Sequence, residues 1–147
     1  MRLRVVIAGL VCALVVALPA SAKAPTKRYS GIGDANNFKV TLWRHPHTVS
    51  WVISVEAPCQ VPGVAESREF GSGQLPAGQR ELRISRRGRF QQHVRGWNPG
   101  SDEIDFDLTG RFESRGAAGT FVVTMRPPQI TTTCTSGLVH WTARSAN

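Results

Sequence analysis

An all-β domain is what this 147-residue sequence predicts: about eight short antiparallel strands forming a sandwich or a small closed or flattened barrel. Three observations predict it. Past residue 22 no stretch places apolar residues at i, i+3, i+4 and i+7 over a useful length. Apolar and polar residues alternate with a period of two instead, as half-buried strands require. The alternating runs are bounded by Gly, Pro, Asn and Asp, and close spacing of this kind belongs to sandwiches and barrels.

The elements follow in order. A first strand is expected over Arg28–Gly33. Phe38, Val40 and Leu42 alternate with Lys39, Thr41 and Trp43. After the turn His45-Pro46-His47, one face collects Val49, Trp51, Ile53 and Val55. Residues 60–79 hold Pro62, Gly63, Gly71, Gly73, Pro76 and Gly78, which predicts a long loop around one short strand near Arg68–Phe70. Leu82 and Ile84 alternate with Arg83 and Ser85, and Arg86–Arg89 reads as a hairpin turn. Phe90 and Val94 oppose Gln91, His93 and Arg95, while Ile104, Phe106 and Leu108 alternate with Asp105, Asp107 and Thr109. Phe121, Val123 and Met125 form another inward set, and strands over Ile130–Cys134 and Leu138–Ala143 flank a Ser136-Gly137 turn.

One hairpin can be given a register. Pairing about Trp97–Ser101 keeps the apolar faces together only if Arg95 opposes Glu103 or Asp105, and His93 opposes Asp105 or Asp107. Opposite charges across a ladder contribute roughly 0.2–1 kcal/mol per pair.

The start of the chain reads differently. The sequence is 41% hydrophobic, yet residues 1–22 hold 17 of these residues and leave 43 of the remaining 125, or 34%. Met1-Arg2-Leu3-Arg4 is cationic, Val5–Leu18 carries no charge, and Pro19 precedes the small residues Ala20-Ser21-Ala22. That is the layout of a secretory signal peptide cleaved near Ala22, followed by one domain over 28–144. Cys12 lies inside the apolar core after Val11, which argues against lipid attachment, and Arg2 and Arg4 are not adjacent as a twin-arginine signal requires. The expected location is outside the cell, or in the periplasm or cell envelope. No second apolar stretch approaches the roughly 20 residues of a spanning helix, so the mature chain is expected to have no transmembrane segment. In an oxidising compartment Cys59 and Cys134 are expected to form a disulfide, since two thiols cannot complete a zinc site.

Four groups of side chains could carry function. Arg83, Arg86, Arg87 and Arg89 would project guanidiniums from one sheet end, and their planar forks suit sulfate, phosphate or carboxylate. With a formal net charge of +8, of which +6 lies beyond residue 22, this predicts contact with an anionic polymer or a glycan. No aromatic interleaving points to nucleic acid, and an intracellular nucleic-acid partner is not expected. Trp43 and Trp97, off the main apolar faces, are candidate sugar-stacking platforms. Glu103, Asp105 and Asp107 share a strand face at roughly 6.5–7 Å spacing, which could serve a hydrolase. His45 and His47 lie close together without a third ligand, so no metal site and no cofactor is expected. No Gly-x-Ser-x-Gly elbow accompanies His93.

The stretch Ile104–Phe112, then Gly119-Thr120-Phe121, Cys134-Thr135-Ser136-Gly137 and Trp141-Thr142-Ala143-Arg144 resembles a diffuse group of uncharacterised secreted bacterial proteins, frequent in high-GC lineages. Their C-terminal halves share a Gly-x-Phe strand, a Gly-Thr strand and a Cys-x-x-Gly…Trp-x-Ala ending. The resemblance covers about residues 104–144. It implies an all-β secreted domain and assigns no catalytic residue. The function expected is a non-enzymatic envelope or extracellular binding module. The alternatives are a lipocalin-like barrel for a small apolar ligand and a hydrolase using the Glu103/Asp105/Asp107 face.

Overall fold

Ten strands pair into one antiparallel sheet, seen in a computed structural model that describes residues 26–75, 77–97, 102–128 and 131–146. The segment 1–22, expected to be a signal peptide, the centre of the 97–101 turn and Ile130 lie outside the described residues, as does the side chain of Trp97. The strands are β1 (Lys27–Gly33), β2 (Lys39–Arg44), β3 (Thr48–Pro58), β4 (Ser67–Gly71), β5 (Glu81–Arg83), β6 (Arg89–Trp97), β7 (Glu103–Phe112), β8 (Gly116–Arg126), β9 (Cys134–Thr135) and β10 (Val139–Ser145). Eight of them follow the order β4-β3-β2-β1-β10-β8-β7-β6, with β5 added on β3 and β9 on β8. The sheet is continuous and curls into a half-barrel, which sets aside the two-sheet sandwich. No helix among the described residues is long and apolar enough to cross a membrane.

The predicted alternation is what the curl buries. Phe38, Val40 and Leu42 point inward, as do Val49, Trp51, Ile53 and Val55, and Ile104, Phe106 and Leu108. Trp51 and Phe70 each pack 5.7 Å from Phe106, and Phe121 lies 5.5 Å from Phe38. A second ring cluster runs from Tyr29 to Phe112 at 5.1 Å, on to Phe90 at 5.3 Å and to Trp141 at 6.3 Å. Tilted and edge-on pairs of this kind add about 0.5–1.5 kcal/mol each beyond burial. Gly110 stands opposite Phe90 on the neighbouring strand, and a Cβ there would lie 2.1 Å from the ring. Only glycine lets the ring cover the strand.

The half-barrel's open side is spanned by a side chain. Gln92 points inward from β6, accepts a hydrogen bond from Trp51 Nε1 at 3.1 Å and donates to Gln79 O at 2.7 Å. The strand at one edge of the sheet is thereby tied to β3 and to the turn ahead of β5. Just past the end of β3, Cys59 forms the expected disulfide with Cys134 on β9, closing a loop of 75 residues.

The β6–β7 register is one of the two allowed: Arg95 opposes Asp105 and His93 opposes Asp107. Two expectations need correction. Residues 131–133 are not strand, and Cys134–Thr135 pairs with β8 rather than forming a hairpin with β10. Ser136 Oγ accepts from Val123 N at 3.0 Å, so the polar side chain extends the β8 pairing where a strand was expected to turn back. The 60–79 segment contains β4 as expected, but also 3-10 turns at Ser72–Gln74 and Ala77–Arg80. Its glycines and prolines hid these from a reading by periodicity.

Candidate anion-binding rim

Antiparallel strands alternate in direction, so β1, β6 and β8 begin where β2, β5, β7 and β10 end. That shared end is basic. It carries the four predicted arginines: Arg83 at the end of β5, Arg86 and Arg87 in the following turn, and Arg89 at the start of β6. The fold brings others to the same rim: Lys27 and Arg28 on β1, Arg44 on β2, Arg111 on β7, Arg115 in the β7–β8 turn and Arg144 on β10. Glu113 is the acid in the β7–β8 turn, and Glu81 starts β5. The opposite end gathers Asp34, Glu56, Glu66, Glu69, Asp102 and Glu103 against Lys39, Arg68, Arg95 and Arg126. The ion pairs found among the described residues leave the rim cations out. They join Arg95 and Arg126 to Glu103, and His93 to Asp105 and Asp107.

Local chemistry builds the rim. In the β5–β6 turn, Gly88 N donates to Ser85 O at 2.9 Å and Arg89 N donates to Ser85 Oγ at 3.0 Å. Gly88 takes φ +75°, a conformation that favours glycine and lets the chain reverse with Arg86 and Arg87 at its tip. Phe112 N donates to Gly88 O at 2.9 Å, which fixes this turn beside the end of β7. On β1 and β2, Lys27 Nζ lies 5.6 Å from the Tyr29 ring centre and the Arg44 guanidinium 4.7 Å from that of Phe112. Buried rings thus hold the stems of both cations at the mouth. An open groove of about 1030 Å³ runs there, lined by Lys27, Arg28, Arg44, His45, Glu113 and Ser145 among others. A second groove of about 580 Å³ lies between Arg83 and Arg89.

The tryptophans separate. Trp43 is half-buried on the outer face, directly across from Arg28. Trp97 ends β6 opposite Glu103, roughly 27 Å of strand away from Arg89. The structure does not bring it to the rim arginines.

Glu103, Asp105 and Asp107 point outward from β7, as expected. His93 Nδ1 lies 2.9 Å from Asp107 Oδ1 and 3.8 Å from Asp105 Oδ1. The Arg95 hydrogen bond holds the Glu103 carboxyl below the ordinary glutamate range, with further help from Arg126. Lowering its pKa makes Glu103 itself a poorer general acid, the role a glycoside hydrolase needs from one member of the pair. His93, Asp105 and Asp107 place ligand atoms within 4.8 Å of one another, the one group among the described residues that could hold a metal ion. The imidazole there is already bonded to a carboxylate. His45 instead contacts Thr26 Oγ1 at 3.2 Å, in the rim groove.

Compared with family models, curated proteins and solved structures, the chain matches none.

The sequence shows the rim only where its arginines are clustered, over Arg83–Arg89. Lys27, Arg28, Arg44, Arg111, Arg115 and Arg144 were missed because they are scattered through the sequence rather than gathered in one basic stretch. Their shared signal is position: each sits within a few residues of a strand end that faces the same way.

Proposed function

We propose that the chain is an exported, non-enzymatic β-domain that binds an acidic polysaccharide through its basic rim. The observation that carries this reading is the sorting of charge: at one end of the half-barrel cations far outnumber Glu81 and Glu113 and form no ion pair among the described residues, while at the other end acids outnumber Lys39, Arg68, Arg95 and Arg126. Arginine forks match sulfate esters and carboxylates, and an excess of one sign steers a polyanion to that end. Trp43 beside Arg28 offers a flat ring next to a charge, which suits an acidic sugar better than a bare phosphate chain. Export rests on the cationic start, apolar core and small-residue site at residues 1–22, with which the Cys59–Cys134 bridge is compatible. Likeness of residues 104–144 to secreted bacterial proteins points the same way.

The small-ligand barrel finds no comparable support, because the interior it requires to be hollow is occupied by interlocked rings. Retention on immobilised heparin tests the proposal. Replacing Arg83, Arg86, Arg87 and Arg89 by Ser is expected to abolish retention at moderate salt, and unchanged retention would refute it.

A further inference from the structure

Two pairs of rim cations face one another directly across a ladder. Lys27 opposes Arg44 between β1 and β2, on the inner side of the mouth, and Arg89 opposes Arg111 between β6 and β7, on the outer side. Side chains so placed have Cβ atoms about 4.5–5.5 Å apart, and like charges directly opposite destabilise a sheet. On the same β6–β7 ladder farther from the rim the charges are balanced, Arg95 facing Asp105 and His93 facing Asp107, while across β3–β4 Glu56 faces Glu69. Both cation–cation pairs occur at the basic rim, and neither has an ion-pair partner among the described residues. An anion seated between the two cations of a rim pair would relieve that repulsion and accept hydrogen bonds from both side chains.

We infer that Lys27–Arg44 and Arg89–Arg111 are two anion subsites that hold separate sulfate or carboxylate groups of one polysaccharide chain. This rests on the rim reading above and adds where the charges of the ligand sit. Each subsite is held in place beforehand. The ring faces of Tyr29 and Phe112 keep Lys27 and Arg44 over the mouth. The bond from Phe112 N to Gly88 O keeps the turn before Arg89 beside the strand bearing Arg111. Side chains already ordered lose less freedom on binding. The strand order places β10 and β8 between the two pairs, so their centres are four strand spacings apart, roughly 19 Å along the curved rim. One small anion cannot occupy both, whereas an oligosaccharide of several acidic sugars can. Arg28 and Arg144 lie along the intervening stretch.

The test uses the mature, disulfide-bonded chain with size-defined heparin oligosaccharides, reading affinity by calorimetry and melting temperature with and without probe. Arg111→Gln removes the repulsion with Arg89. Its expected signature is a higher melting temperature without probe together with an octasaccharide affinity lower by about tenfold. Lys27→Met, which keeps an apolar stem on Tyr29, is expected to weaken the octasaccharide by a similar factor while a disaccharide loses less. Both substitutions are at exposed positions, so folding is not at stake. If the wild type fails to bind the octasaccharide, the rim reading falls, and the subsites with it. If the wild type binds and both variants bind equally well, the subsites are wrong while the rim reading stands. Equal affinity for single-stranded DNA of matched charge would overturn the polysaccharide class.

Discussion

Gln92 makes the sharpest demand on the fold, because one amide spans the open side of the half-barrel. Replacement by Leu keeps the volume but leaves the Trp51 indole N–H, on a side chain only 1% exposed, without its acceptor. A buried donor left unpaired costs about 1–3 kcal/mol, and the lost bond to Gln79 O adds about 1 kcal/mol. A loss of about 2–4 kcal/mol is therefore expected, which for a domain of this size lowers Tm by roughly 8–15 °C. Urea unfolding followed by tryptophan fluorescence measures it, and an unchanged m value would show that the folded and unfolded states are otherwise the same. The decisive step is a double-mutant cycle with Trp51→Phe. With no indole N–H to satisfy, Gln92→Leu should become nearly neutral, giving a coupling of about 1–3 kcal/mol. Coupling within experimental error of zero would refute the reasoning that this bond closes the seam. Arg83 and Arg89 stand on opposite banks of that seam, so the same variant is expected to loosen polysaccharide binding as well.

Two further outcomes follow from the same geometry. Replacing Cys59 and Cys134 by Ser should reduce stability by up to about 4.5 kcal/mol for the 75-residue loop, read as a lower urea midpoint. Glu103 has a folded-state pKa below its unfolded value, so its contribution to stability is present above the ordinary glutamate range and is lost as pH falls through the lowered value. Glu103→Gln should flatten the acid limb of the stability–pH curve, and a curve of unchanged shape would count against the Arg95–Glu103–Arg126 cluster.

The strands were legible because burial on one face forces a period of two, and Phe38–Leu42, Val49–Val55 and Ile104–Leu108 all carry it without interruption. The β6–β7 register was legible too, since apolar Phe106 and Val94 had to share a face and that left few ways to seat Arg95. What the strands do not announce is which ends meet. Curl and closure depend on long-range pairing such as β1 with β10, and on single contacts such as Gln92 to Trp51, neither of which leaves a local pattern. The rim shares that limit. Arg86 and Arg87 stand out as neighbours, while Arg44 and Arg111 acquire meaning only when the register sets them opposite Lys27 and Arg89. Trp97 shows the converse: it looked equivalent to Trp43 in sequence, but the length of β6 carries it to the far end.

The central claim is that the position of positive charge matters, not its amount. Replacing Arg83, Arg86, Arg87 and Arg89 by Ser takes the formal net charge from +8 to +4, and so does replacing Lys39, Arg68, Arg95 and Arg126 at the other end. The most direct measurement compares the salt concentration at which each folded variant leaves a heparin column. The account predicts that the rim variant elutes early with a shallower salt dependence, because contacts to the polyanion have been lost, while the control elutes near the wild type. Equal loss of retention in both would contradict it.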